Sequence, residues 1–124
     1  MIESELFSFL KENYYPDLEK SQKMFSPYDC YSKEFRCLIE LKCRTTHYNR
    51  LLIEKIKYDK LISYGCDLRY ICSTPKGVYS FDLLAISPEW EESNKNPKTT
   101  EFKNTNKVIK IVSYISIENA IILK

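Results

Sequence analysis

Ser26-Pro27-Tyr28-Asp29, a polar turn at Ser32-Lys33-Glu34, and then Leu38-Ile39-Glu40-Leu41-Lys42-Cys43 form the stretch on which the fold turns. Alternate residues of a strand share a face, so Glu40 and Lys42 project together about 7 Å apart, while Ile39 and Leu41 point the other way into a core. An apolar strand rarely carries two charges on one face without a reason, because an unpaired buried charge is costly. The turn at 32–34 pairs the strand Phe35 to Cys43 antiparallel with an extended segment, Met24 to Tyr31, and so brings Asp29 opposite the strand carrying Glu40. Two carboxylates placed this way are hard oxygen ligands for Mg²⁺, with Mn²⁺ able to substitute. The backbone carbonyl of Leu41, between the two charged residues, is a natural extra ligand. The Lys42 ammonium can orient an attacking water or stabilise a pentacovalent phosphorus. The chemistry suited to this set is metal-assisted phosphodiester hydrolysis. The bland alternative is a cross-strand salt bridge on a solvent-facing sheet.

Working outward, Ile2, Leu6, Phe9 and Leu10 recur at helical spacing and predict a helix over residues 2–13, stopped near Pro16. Downstream, Tyr48, Leu51, Leu52, Ile56, Tyr58, Leu61 and Ile62 predict a long helix over 48–64, with Arg50, Glu54, Lys55, Asp59 and Lys60 on its wet face. Thr45 or Thr46 is expected to cap its start, and Gly65 to end it. Leu68 to Ser73 and Val78 to Ile86 read as strands joined by the turn Thr74-Pro75-Lys76-Gly77. Residues 87–106 are polar apart from Trp90 and Phe102 and predict a long surface loop. Val108 to Ile115 reads as a closing strand, with a short element from Ser116 to Leu123. The order of elements predicts one α/β domain over residues 1–124, with a mixed sheet and the long helix packed on it.

Bulk properties narrow the classes of function. Apolar residues make up 44% of the 124 and charged residues 29%, which excludes a disordered chain. The net charge of +2 is too small to argue for a nucleic-acid partner by itself. The apolar stretches fall far short of the roughly 20 residues of a membrane span, so no membrane partner is expected. The start, Met1-Ile2-Glu3-Ser4-Glu5, is acidic and unlike a signal peptide. The expected address is cytoplasmic, in a cell or in an infected host. Five cysteines without a CxxC pair, beside a single histidine, are expected to be reduced thiols rather than a zinc site.

Pro27-Tyr28-Asp29 followed by Glu40-Leu41-Lys42 and a downstream helix resembles the PD-(D/E)XK nuclease superfamily motif, over residues 1–86. The resemblance implies a restriction-endonuclease-like mixed central sheet flanked by helices. It implies that Asp29 and Glu40 bind metal and that Lys42 assists the nucleophilic water. Lys57 is the match for an accessory position on the helix that follows, and Glu5 or Glu12 for an acid contributed by the first helix. The superfamily carries one more strand before the aspartate, and little room for it lies between Pro16 and Ser26. The tail that includes Pro97-Lys98-Thr99-Thr100-Glu101-Phe102 lies outside the shared core.

The function expected is therefore a Mg-dependent endonuclease acting on nucleic acid, with DNA as the favoured substrate. Arg44 and Arg50, with Lys55 and Lys60, are candidates for a rim that positions phosphates. His47, at the strand-to-helix junction near Lys42 and Arg44, either contacts phosphate or acts in catalysis, or is a helix-capping or surface histidine. A homodimer, joined through the N-terminal helix and the loop around Trp90, would set one site against each strand of a duplex. Two other classes stay open at this point. One is a nucleic-acid-binding module without catalysis; the other is a protein-interaction domain with the long loop and Trp90 as its contact surface.

Overall fold

The structure is a computed structural model and describes residues 1–22, 26–93 and 109–124. Helix α1 (Glu3–Asn13) leads into the short strand β1 (Glu19–Lys20), then β2 (Cys30–Ser32) and β3 (Cys37–Cys43). Strand β4 (Arg50–Glu54) runs directly into helix α2 (Lys55–Ile62). After these come β5 (Asp67–Thr74), β6 (Gly77–Asp82), β7 (Glu91–Ser93) and β8 (Lys110–Ser116). A single 3₁₀ turn (Ile117–Asn119) and β9 (Ile121–Ile122) end the chain.

The central sheet has the order β1-β2-β3-β5-β6-β9, and β4-β8-β7 forms a second, smaller sheet. Strands β3 and β5 are parallel, and the others in the central sheet pair antiparallel. A parallel pair needs a long crossover, which β4 and α2 supply here. Alternation on β3 then sorts the layers. Cys37, Ile39 and Leu41 pack with Leu6 and Leu10 of α1, while Leu38 faces the cluster built from Leu51, Ile53, Leu61, Tyr70, Phe81 and Ile115. The central sheet is thus covered by α1 on one face, and by α2 with the small sheet on the other. Leu6 and Leu10, one helical turn apart, are wholly buried, each contributing about 1.5–3 kcal/mol by that burial.

The β2–β3 hairpin sets the register of the site, and a residue outside it holds its turn. Asp17 accepts the Ser32 hydroxyl at 2.6 Å through Oδ1 and the Glu34 N–H at 2.9 Å through Oδ2. The Ser32 hydroxyl in turn accepts the Phe35 N–H at 3.2 Å. Arg36 closes the turn with a positive φ of 52°. The pairing that results is Ser32 with Cys37 and Cys30 with Ile39.

Three expectations need correction. Residues 50–54 are a strand, not the first turns of a helix: Leu51 and Ile53 are buried, and Arg50, Leu52 and Glu54 alternate with them. Helix α2 begins only at Lys55, with Glu54 at its cap position, so neither Thr45 nor Thr46 caps it. The extra strand before Asp29 exists as the two residues of β1, which pair with Tyr31 and Cys30. Part of the apolar surface of α1 and of the segment around Trp90 is used within the chain. Leu6 and Leu10 of α1 lie in the core, and Trp90 packs on α2 at 5.2 Å from the Tyr58 ring and under Lys55.

Of the long polar loop, residues 91–93 form an edge strand, and residues 94–106 lie outside the described residues, as do Lys23 to Phe25 of the extended segment. The five cysteines form no disulfide. Burial pushes the Cys30 thiol up to about 12 and those of Cys37 and Cys72 up to about 11, which keeps them protonated. Among the described residues no helix is long and apolar enough to cross a membrane.

Candidate active site

Strand β2 begins at Cys30, and the residue just before it takes over the pairing with its side chain. The Asp29 N–H donates to the Ile39 carbonyl at 2.9 Å, and the Asp29 Oδ2 accepts the Leu41 N–H at 2.7 Å. Residues two apart on a strand turn their backbone groups to the same edge, so the Leu41 carbonyl faces the side on which Asp29 stands. Asp29 and Leu41 line one hollow of about 210 Å³ together with Glu3, Ser4, Phe7 and Lys20.

Glu40 projects from the opposite face of β3 from Leu41, and its side chain is only 8% exposed. Lys57, on the first turn of α2, ion-pairs its ammonium to the Glu40 Oε1. Tyr70, directly alongside on the parallel strand β5, completes the wall. Burial is the main influence on the Glu40 carboxyl and lifts it to about 7. The Lys57 hydrogen bond pulls the other way, and the neighbouring Asp29 charge adds to the rise. The same burial holds the Tyr70 phenol up at about 12, so it is a hydrogen-bond donor at any ordinary pH. Glu40, Lys42, Lys57, Arg44 and Tyr70 line a second hollow of about 150 Å³, closed on its far side by Leu52, Ile53 and Glu54.

The structure therefore brings Asp29, Glu40, Leu41, Lys42 and Lys57 to one edge of the sheet, with Arg44 beside them. Glu5 and Glu12 are not brought there. Glu5 accepts the Ile2 N–H at 2.8 Å at the start of its own helix, and Glu12 is exposed and lines neither hollow. The acid of α1 that does line the Asp29 hollow is Glu3. His47 lies elsewhere, with Nδ1 2.9 Å from the Thr74 hydroxyl and its ring 5.6 Å from that of Tyr79. Arg50 is set on β4 with its guanidinium 5.0 Å from the Tyr114 ring centre, next to the site rather than in it. Lys55 is paired with Asp59 at 2.7 Å and covers Trp90.

Sequence reasoning missed Glu3 and Tyr70. The rotation of α1 selects Glu3 over Glu5, and the parallel register of β5 selects Tyr70; neither has a local signal.

Among the described residues no group of three or more His, Cys, Asp or Glu side chains is arranged to hold a metal. The donor chemistry nonetheless fits a hard divalent cation. Asp29 and Glu40 are neighbouring carboxylates, and Glu40 is raised mainly by its burial, so both are oxygen donors at one place along β3. A cation such as Mg²⁺ keeps several waters, so two carboxylates and one carbonyl are a sufficient protein share.

No family model and no curated protein matches the sequence. Among solved structures the chain is similar to Hjc, a Holliday junction resolvase from the archaeal hyperthermophile Archaeoglobus fulgidus. The TM-score is 0.59 over 98% of this chain and 88% of that one, at 13% sequence identity. At that identity the likeness speaks to the fold, which is the restriction-endonuclease-like arrangement of a mixed central sheet between flanking helices.

Proposed function

We propose that this chain is a metal-dependent endonuclease that hydrolyses a phosphodiester bond, with DNA as the substrate. The observation that carries the reading is the buried Glu40 carboxyl, set beside Asp29 and met by a lysine from a different element. The likeness to a resolvase supports it at the level of fold. Asp29, Glu40 and the Leu41 carbonyl are the residues assigned to hold Mg²⁺, for which Mn²⁺ can substitute, and Glu3 is near enough to the Asp29 hollow to bind through water. When bound, the cation supplies a more acidic water and neutralises charge on the phosphoryl oxygens.

The side chains divide the remaining work. Lys42, exposed at the mouth of the Glu40 hollow, orients the attacking water or meets the charge that grows on phosphorus oxygens. Lys57 holds Glu40 in place and presents an ammonium to the same space. In the reaction a water oxygen bonds to phosphorus as one phosphoester P–O bond breaks. The water gives up its proton, and the departing alkoxide takes one. Arg44 carries a charge for a flanking phosphate.

The test is nicking of supercoiled DNA with Mg²⁺ or Mn²⁺, with circular dichroism alongside. Asp29→Ala, Glu40→Ala and Lys42→Ala are expected to abolish cleavage while the spectrum stays that of the wild type. Lys57→Ala is expected to slow it roughly 10- to 1000-fold, the scale of losing one oriented charged donor. Unchanged cleavage by Glu40→Ala would sink the proposed site. A salt-dependent shift of DNA without any cleavage would identify a binding module instead.

A further inference from the structure

A second groove opens directly beside the Glu40 hollow. Arg44, Tyr48, Arg50, Leu51, Leu52 and Tyr114 enclose about 270 Å³, and Arg44 and Leu52 also line the Glu40 hollow. The two spaces are therefore neighbours that share Arg44 and Leu52 as a common wall. The outer groove holds two cations and no acid. Its aromatic groups are accessible: Tyr48 is 53% exposed, and Tyr114 stands on the outer face of β8 opposite Leu52. The Arg50 guanidinium lies over the Tyr114 ring, 5.0 Å from its centre. Among the described residues the Arg44 Nε is buried and has no hydrogen-bond partner, an unusual state for a charged donor.

We propose that this groove receives one unpaired nucleotide of the strand being cut, immediately next to the bond at Glu40. Its base packs against Tyr48 and the Arg50–Tyr114 pair, and its phosphate meets Arg44. An exposed tyrosine ring with arginines beside it suits an unstacked base, because every base has a face to stack whatever its sequence. A base inside a duplex has both faces covered by its neighbours and cannot use such a surface. The inference rests on the nuclease reading for the neighbouring site, and it narrows the substrate class. The preferred strand carries an unpaired nucleotide at the cleavage position, and readout is insensitive to which base it is.

The experiment measures affinity in EDTA, where nothing is cut, by anisotropy of two fluorescein-labelled DNAs. One is a perfect duplex, and the other is the same duplex with a central unpaired bulge. The wild type is expected to prefer the bulged DNA by roughly 10- to 100-fold, the scale of one base–aromatic stack. Tyr48→Ala and Tyr114→Leu are expected to bring that preference close to unity. Tyr48 is exposed enough that its loss leaves the fold intact, which circular dichroism checks. Equal affinity of the wild type for both DNAs would overturn the inference, as would a preference that survives Tyr48→Ala. Binding of neither DNA would also overturn it. Cleavage with Mn²⁺ is scored separately. Metal-dependent cutting without bulge preference removes the groove assignment alone, whereas bulge preference without cutting removes the nuclease reading and keeps the groove.

Discussion

Burial and charge pull the Glu40 carboxyl in opposite directions, and burial wins: it titrates at about 7 rather than 4.5 although Lys57 is paired to it. The native chain therefore keeps a proton there that the unfolded chain releases near 4.5. The stability this provides is complete below pH 4.5 and is lost as pH rises through about 7, an effect of ~3 kcal/mol. Urea unfolding in EDTA should show the wild type losing stability from pH 5 to pH 8, and Glu40→Gln losing much less. Equal losses in both proteins would mean that Glu40 is charged across this range. Metal affinity should run the other way, gaining about tenfold per pH unit up to about pH 7 and then levelling, since a bound cation displaces that proton. The shared face of Glu40 and Lys42 was legible because a strand alternates and these residues sit two apart. Glu3 and Tyr70 were not, because each depends on how a distant element is rotated or registered against β3.

Strand β4 is the element on which local pattern misled. Leu51, Leu52 and Ile56 satisfy a helical period, and Leu51 and Ile53 satisfy an alternating one equally well. Pairing with β8, more than fifty residues away, decides between them: Leu51 faces Ile115 and Leu52 faces Tyr114. Ile56, which a continuous helix would bury, is 72% exposed. Alanine at Leu51 or Ile53 is accordingly expected to cost about 2–5 kcal/mol, and alanine at Ile56 less than about 0.5 kcal/mol. Chemical denaturation measures both, and a large loss at Ile56 with little at Ile53 would restore the helix. By contrast the β2–β3 and β5–β6 hairpins were readable, since each closes through a few turn residues between apolar runs. The short β1 escaped notice because two residues carry no periodicity.

For the whole molecule, the site lies where β2 stops short and leaves the edge of β3 open between α1 and α2. Every residue assigned to it comes from one chain, so under the proposed reading one copy would cut one strand. Two strands call for two copies, and sedimentation with duplex DNA and Ca²⁺ in place of Mg²⁺ is expected to find a homodimer. A monomer under all conditions, with plasmid nicked but never linearised, would exclude it. The mixed α/β class was legible from the order of elements; the small second sheet was not, because its strands are drawn from distant parts of the chain. The most direct measurement of the central claim is a crystal soaked in Mn²⁺ and recorded for anomalous scattering. One strong peak is expected within ligand distance of the Asp29 and Glu40 carboxylates and the Leu41 carbonyl, with Lys57 moved off Glu40. A saturating soak that leaves this position empty, with Lys57 still paired to Glu40, would contradict it.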